Sequence, residues 1–140
     1  MSLDFDNPPQ TTGYLLLFRN TNSYDDIRSA EELQQIMDGV TAWFGRLESE
    51  GKLTGAQPLT ERTVTISGEN GRSVTDGPFA EAKEAIGGYA MLNVDSMEEA
   101  VAIARTNPML KYGLVTEVRE LTTCCPTMQR TRQRLAEALA

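Results

Sequence analysis

The chain contains no histidine. That absence excludes imidazole acid/base catalysis and histidine metal ligation, and it removes the side chain that most readily changes charge near neutral pH. Cysteine is scarce: the only two, Cys124 and Cys125, are adjacent. Neighbouring residues rarely reach disulfide geometry, and without further Cys or any His they do not form a zinc set. Two free thiols fit a reducing compartment, and with no evident base beside them they are poor nucleophile candidates. Long apolar runs are missing too. The longest, Tyr14 to Phe18, is far short of the roughly 20 residues that a spanning helix needs. Met1 to Gly13 is polar, holds Pro8 and Pro9, and lacks the basic-then-apolar pattern of a signal peptide. The expectation is a cytoplasmic protein with no membrane partner.

Positive charge is in short supply. Lys and Arg number 13 against 20 Asp and Glu, a formal net charge of −7. A negative field opposes nucleic-acid binding, which depends on neutralising phosphates, so no direct nucleic-acid partner is expected. The deficit is uneven. From Thr122 onward Arg130, Arg132 and Arg134 outnumber Glu137, giving the tail +2 and leaving −9 on the remainder. Such a tail is either a solvated helix face or a contact for an acidic surface.

What is present suffices for one domain: 140 residues, of which 40% are hydrophobic. Tyr14 to Phe18 reads as a buried strand. Ser29 with Glu32 forms a capping box, and Leu33, Ile36, Met37, Val40, Trp43, Phe44 and Leu47 follow as one helical stripe that stops at Gly51. Lys52 to Leu59 reads as a strand or extended arm. Thr63 to Ser67 and Arg72 to Thr75 form a hairpin across Gly68 to Gly71. Tyr89 to Val94 is another strand. Ser96 with Glu99 caps a second helix that ends before Pro108. Gly113 to Leu121 is the last strand, and Pro126 to Ala140 a short helix with Met128, Leu135 and Leu139 on its apolar side. This order predicts an α+β, ferredoxin-like sheet with two helices on one face and an extra C-terminal helix. Residues 1–13 are an N-terminal extension, 14–121 the domain and 122–140 the tail. Period-two alternation sends about half of Leu15, Leu17, Val64, Ile66, Tyr89 and Met91 to the other sheet face. Two sheets packed face to face would cover it, so a homodimer is expected.

One connection is unusual. Residues 75–89, "TDGPFAEAKEAIGGY", combine a turn dipeptide, a proline, an aromatic, clustered charges and a double glycine. Asp76-Gly77 suits a turn and Pro78 the first position of a helix. Ala80 to Ile86 then reads as two helical turns stopped by Gly87-Gly88, with Phe79 as the buried anchor. Asp76, Glu81, Lys83 and Glu84 present charge above it. They form either an acid/base cluster, with one carboxylate raised by burial and Lys83 holding an anionic substrate, or a capped and solvated turn. Ligand spacing for a hard cation is absent, and no metal or cofactor is expected. Trp43 and Phe44 read as core rather than as a ligand cage. Tyr14, Tyr89 and Arg19 occupy strand positions open toward a cleft.

The segment "VTDGPFAEAKEAIGGYAML" (74–92) resembles the signature of the YciI-related family, in its DGPF-motif branch, with Ala82 where Thr is frequent. "GRLESEGKLTGAQPL" (45–59) and "NPMLKYGLVTEVREL" (107–121) fit the same pattern, and the resemblance spans Gly13 to Leu121. It implies a subunit that dimerises into an α+β barrel with the motif lining a cleft, and ligand-binding roles for Asp76, Phe79, Glu81, Lys83 and Glu84. The His-Asp pair associated with the wider family has no counterpart in a chain without His. The resemblance also implies a small-molecule substrate, some members acting on chlorinated aromatics. DGPF proteins are often encoded beside extracytoplasmic-function sigma factors, which implies the alternative of a non-catalytic regulatory or protein-interaction module with a sigma-factor link.

Overall fold

Strand β1, Tyr14–Arg19, shows the alternation on which the rest is built: Tyr14, Leu16 and Phe18 are buried, and Leu15, Leu17 and Arg19 are half-buried on the other side. The computed structural model describes residues 12–21, 28–76 and 85–140. Helix α1, Ala30–Ser49, starts where the Ser29 hydroxyl accepts from the Glu32 N–H at 3.1 Å. It ends at Gly51, whose φ of +70° is accessible to glycine at little cost. The strands β2 (Leu53–Pro58), β3 (Val64–Ser67), β4 (Ser73–Asp76) and β5 (Ile86–Leu92) follow. Helix α2, Met97–Ala104, is capped by Ser96, which accepts from the Glu99 N–H at 3.1 Å. In neither helix does the glutamate complete the reciprocal half of the capping box among the described residues; Glu32 instead meets Arg28 at 3.5 Å and Glu99 lies 3.9 Å from Lys52. Strand β6 (Val115–Glu120) and helix α3 (Pro126–Leu139) complete the order.

The main sheet has the order β2-β5-β1-β6 with every pair antiparallel. This is the ferredoxin-like arrangement: β5 is inserted between β1 and β2, and the chain is α+β as the element order predicts. Trp43 and Leu47 of α1 and Ala100 and Ile103 of α2 join Leu16, Ala90 and Leu92 in one core, so both helices cover the same face. Leu16 and Leu92 are fully enclosed, each contributing about 1.5–3 kcal/mol by burial. Trp43 stacks edge-on against Phe18 and Phe44 and donates its Nε1–H to the Thr106 hydroxyl at 2.8 Å. It is core, as its place on the stripe indicates.

Three expectations need correction. Val64 and Ile66 do not belong to the main sheet. β3 and β4 form a separate two-stranded hairpin in which Ile66 faces Val74 and all three side chains are exposed. The open face of the main sheet is therefore carried by Leu15, Leu17, Tyr89 and Met91, where Leu17 pairs with Tyr89 and Leu15 with Met91. Second, Ile86 and Gly87-Gly88 are strand rather than helix end and stop. Gly88 pairs with Phe18 on one side and Pro58 on the other, while Gly87 is the extra residue where the register slips. Residues 80–84 of the expected helix lie outside the described residues. Third, a single 3-10 turn, Pro108–Tyr112, precedes β6; its Asn107 cap and the left-handed Gly113 shorten the strand from the Gly113 start expected for it.

Helix α3 forms where its Pro126 start and apolar spacing place it, yet none of its residues is buried and Met128, Leu135 and Leu139 are exposed. Deleting residues 122–140 is accordingly expected to preserve a cooperative thermal melt followed by circular dichroism. Loss of that transition would place the tail in the core.

Candidate functional site

The sheet is unevenly filled beneath α1. On β5 the inward positions are Gly88, Ala90 and Leu92, so side-chain volume falls to nothing toward the start of the strand. At the Leu92 end, Tyr14 and Leu16 pack solidly. At the Gly88 end a cavity of about 540 Å³ remains. Ile36, Val40 and Phe44, spaced four apart on one ridge of α1, form its helical wall. Phe18 of β1, Ala56 to Pro58 of β2 and Gly87 to Tyr89 of β5 form the sheet wall, and Asn107, Met109 and Leu114 close the third side.

The double glycine has a steric reason. A Cβ on Gly87 would come within 2.6 Å of the Thr21 Cγ2, and one on Gly88 would sit 3.1 Å from the Gln57 carbonyl oxygen and 3.3 Å from the Pro58 Cα. A side chain at Gly87 would require Thr21 to move, and one at Gly88, an inward position, would press on the β2 backbone by a few tenths of an ångström and occupy the end of the cavity. Thus the C-terminal end of the 75–89 segment both shapes and lines this space.

Among the described residues, none that lines the cavity is charged. Asn107 is the buried polar residue among those described, 8% exposed. Its Oδ1 accepts from the Met109 N–H at 2.9 Å, which starts the 3-10 turn. Thr41 and Gln57 line the cavity from exposed positions and Thr21 from a half-buried one.

Of the residues singled out in the sequence, Asp76 is the exposed last residue of β4 and forms no ion pair among the described residues. Phe79, Glu81, Lys83 and Glu84 lie outside the described residues. Phe44 lines the cavity, and Tyr89 borders it from a strand position on the other face from the inward Gly88 and Ala90; Tyr14 and Arg19 do not line it. Tyr14 sits at the filled end of the sheet; burial, with the nearby charges of Glu120 and Asp95, pushes its hydroxyl above its ordinary value of 10.0 and keeps it protonated at neutral pH. Among the described residues no group of three Cys, Asp or Glu could hold a metal ion, and no helix is long and apolar enough to cross a membrane. Cys124 and Cys125 are both free thiols. Sequence reasoning missed Asn107, Met109 and Leu114. Asn107-Pro108 is a turn signal in its own right, but it reads only as the end of α2 until the turn is seen to fold back against α1.

The sequence pattern of the YCII-related domain matches residues 14–122. The chain belongs to the YCII-related family. A relative, uncharacterised protein R00369 of Rhizobium meliloti (strain 1021), is 32% identical over 95 residues, covering 66% of this chain and 77% of that one. The structure of 5-chloro-2-hydroxyhydroquinone dehydrochlorinase (TftG) from Burkholderia phenoliruptrix AC1100, in complex with 2,5-dihydroxybenzoquinone, is 20% identical, with 78% of this chain and 93% of that chain covered at a TM-score of 0.39. At that similarity the fold statement rests on the strand order of this YCII-related chain itself.

Proposed function

We propose that this YCII-related protein, of the DGPF branch, binds a small molecule in the cavity between α1 and the sheet. The observation that carries the reading is the lining of that cavity by Gly87, Gly88 and Tyr89, the end of the motif that the sequence marks as unusual. Glu84 precedes Gly87 by three residues, so the chain can carry it no more than about 10 Å away. In this reading Asp76, Glu81, Lys83 and Glu84 stand at the entrance with Phe79 as their anchor, and the apolar body of the ligand lies inside. The enzymatic form is cofactor-independent: one carboxylate takes a proton while Lys83 holds an anionic or polar group of the substrate. The chain is cytoplasmic, residues 14–121 are the binding domain between an extension and a tail, and the open face of Leu15, Leu17, Tyr89 and Met91 pairs with a second copy.

A second reading draws on α3. A basic amphipathic helix that buries nothing in a single chain is suited to contacting another protein. It supports a regulatory module, with the sigma-factor link that the DGPF resemblance implies.

A thermal-shift screen of metabolites against wild type and Lys83→Ala separates the two. Ligands that stabilise wild type and lose that effect in Lys83→Ala are the expected result. With the fold spared, Lys83→Ala itself should shift stability by about 0.5 kcal/mol or less, as surface substitutions do. Hits that bind both proteins equally, or bind away from the cavity, would leave the interaction module as the better reading.

A further inference from the structure

The inner wall of the cavity carries one polar side chain whose hydrogen bonding is half complete. Asn107 has its Oδ1 committed to the Met109 N–H at 2.9 Å, and among the described residues its Nδ2 has no hydrogen-bond partner. The residue is 8% exposed and lies beside Phe18, Ile36, Val40, Phe44, Met109 and Leu114, while the polar Thr21, Thr41 and Gln57 line the cavity from more exposed positions. The Nδ2 is not sealed off in the free protein: the fully buried unpartnered side-chain atoms among the described residues are Arg19 Nε, Arg28 Nε and Thr116 Oγ1. A ligand that fills the cavity and excludes water from the Nδ2 without supplying an acceptor would strand that N–H at about 1–3 kcal/mol, so an acceptor there is favoured over a purely apolar group of the same shape. An ionised group is disfavoured at the same point, because among the described residues none that lines the cavity carries a compensating charge.

We propose, resting on the cavity reading above, that the ligand is a mainly apolar molecule that inserts a neutral hydrogen-bond acceptor, such as a carbonyl or ether oxygen, onto Asn107 Nδ2. Any charged group it carries stays at the entrance. Asn107 is then the residue that sets ligand orientation and discriminates the acceptor from its hydrocarbon equivalent. A volume of about 540 Å³ suits a one- or two-ring molecule rather than a long chain.

The test uses two probes of nearly equal shape, acetophenone and ethylbenzene, titrated into the full-length protein while backbone amide resonances are followed by NMR. The variant is Asn107→Asp, which keeps the oxygen that accepts from Met109 and replaces the donor by an acceptor. An unchanged Met109 amide signal shows that the turn persists. In wild type both probes shift amides of residues 87–89 and 109, and acetophenone binds about three- to ten-fold more tightly, the range of one neutral hydrogen bond. In Asn107→Asp that preference disappears. Equal affinities in wild type, or a preference that survives Asn107→Asp, overturn the acceptor proposal while leaving the cavity as the site. Shifts confined to residues outside the cavity, or no binding by either probe up to its solubility limit, overturn the cavity reading itself.

Discussion

Trp43→Ala is expected to lower the unfolding free energy by about 3–5 kcal/mol, the range for deleting a large buried aromatic. Three contacts disappear together. The indole, 2% exposed, stacks edge-on against Phe18 and Phe44 with centroids 6.5 and 4.9 Å away, and donates to the Thr106 hydroxyl at 2.8 Å. Thr106 itself is not orphaned, since its hydroxyl also donates to the Ile103 carbonyl at 2.6 Å. The loss therefore comes mainly from the emptied volume between α1 and α2 rather than from a stranded polar group. Domains of this size are stable by only about 5–15 kcal/mol, so the variant gives up between about a fifth and all of its margin. Trp43→Phe retains a ring and should cost less, and Phe44→Ala should also cost less because Phe44 is already half-exposed beside the cavity. Urea denaturation followed by circular dichroism measures all three. A Trp43→Ala loss below about 1 kcal/mol would mean that the α1–α2 contact is not part of the core.

The second large effect is on assembly. Leu17→Glu is expected to convert the proposed homodimer to a monomer without unfolding it. Leu17 lies at the centre of the open face, between Tyr89 and Glu117 in the neighbouring strands, and is half-buried in a single chain. A carboxylate there remains hydrated in the monomer but would be stripped of water without a partner between two sheets, at several kcal/mol. With about 1.4 kcal/mol per tenfold, the dissociation constant should rise by roughly 100-fold or more. Light scattering on wild type and variant at micromolar concentration reads the change. A monomeric wild type would remove the homodimer, and a variant that stays dimeric would move the interface to another surface, the exposed Val64, Ile66 and Val74 of the hairpin being the next apolar face.

Local chemistry decided a good deal of this protein. The caps at Ser29 and Ser96, the stop at Gly51, the alternation in β1 and the stripe on α1 each follow from interactions within a few residues, which is why they are legible in a linear chain. Their order was enough to imply the ferredoxin-like sheet, because the β1–α1–β2 and β5–α2–β6 units have few ways to pack. What only the tertiary structure decided involves pairs distant in sequence. Gly87-Gly88 looks locally like the end of a helix, but partners on two sides, Phe18 and Pro58, and the nearby Thr21 make it strand. Val64 and Ile66 alternate as strand residues of the main sheet would, and nothing local says that their hairpin stands apart from it. The same holds for the candidate site. The sequence drew attention to charges in the motif, whereas the space itself arises because Gly88 faces the Ile36–Val40–Phe44 ridge, and Asn107 reaches that space only by the folding back of a turn 19 residues further along the chain. A cavity is a failure of distant surfaces to fill the volume between them, and no local pattern of residues encodes it.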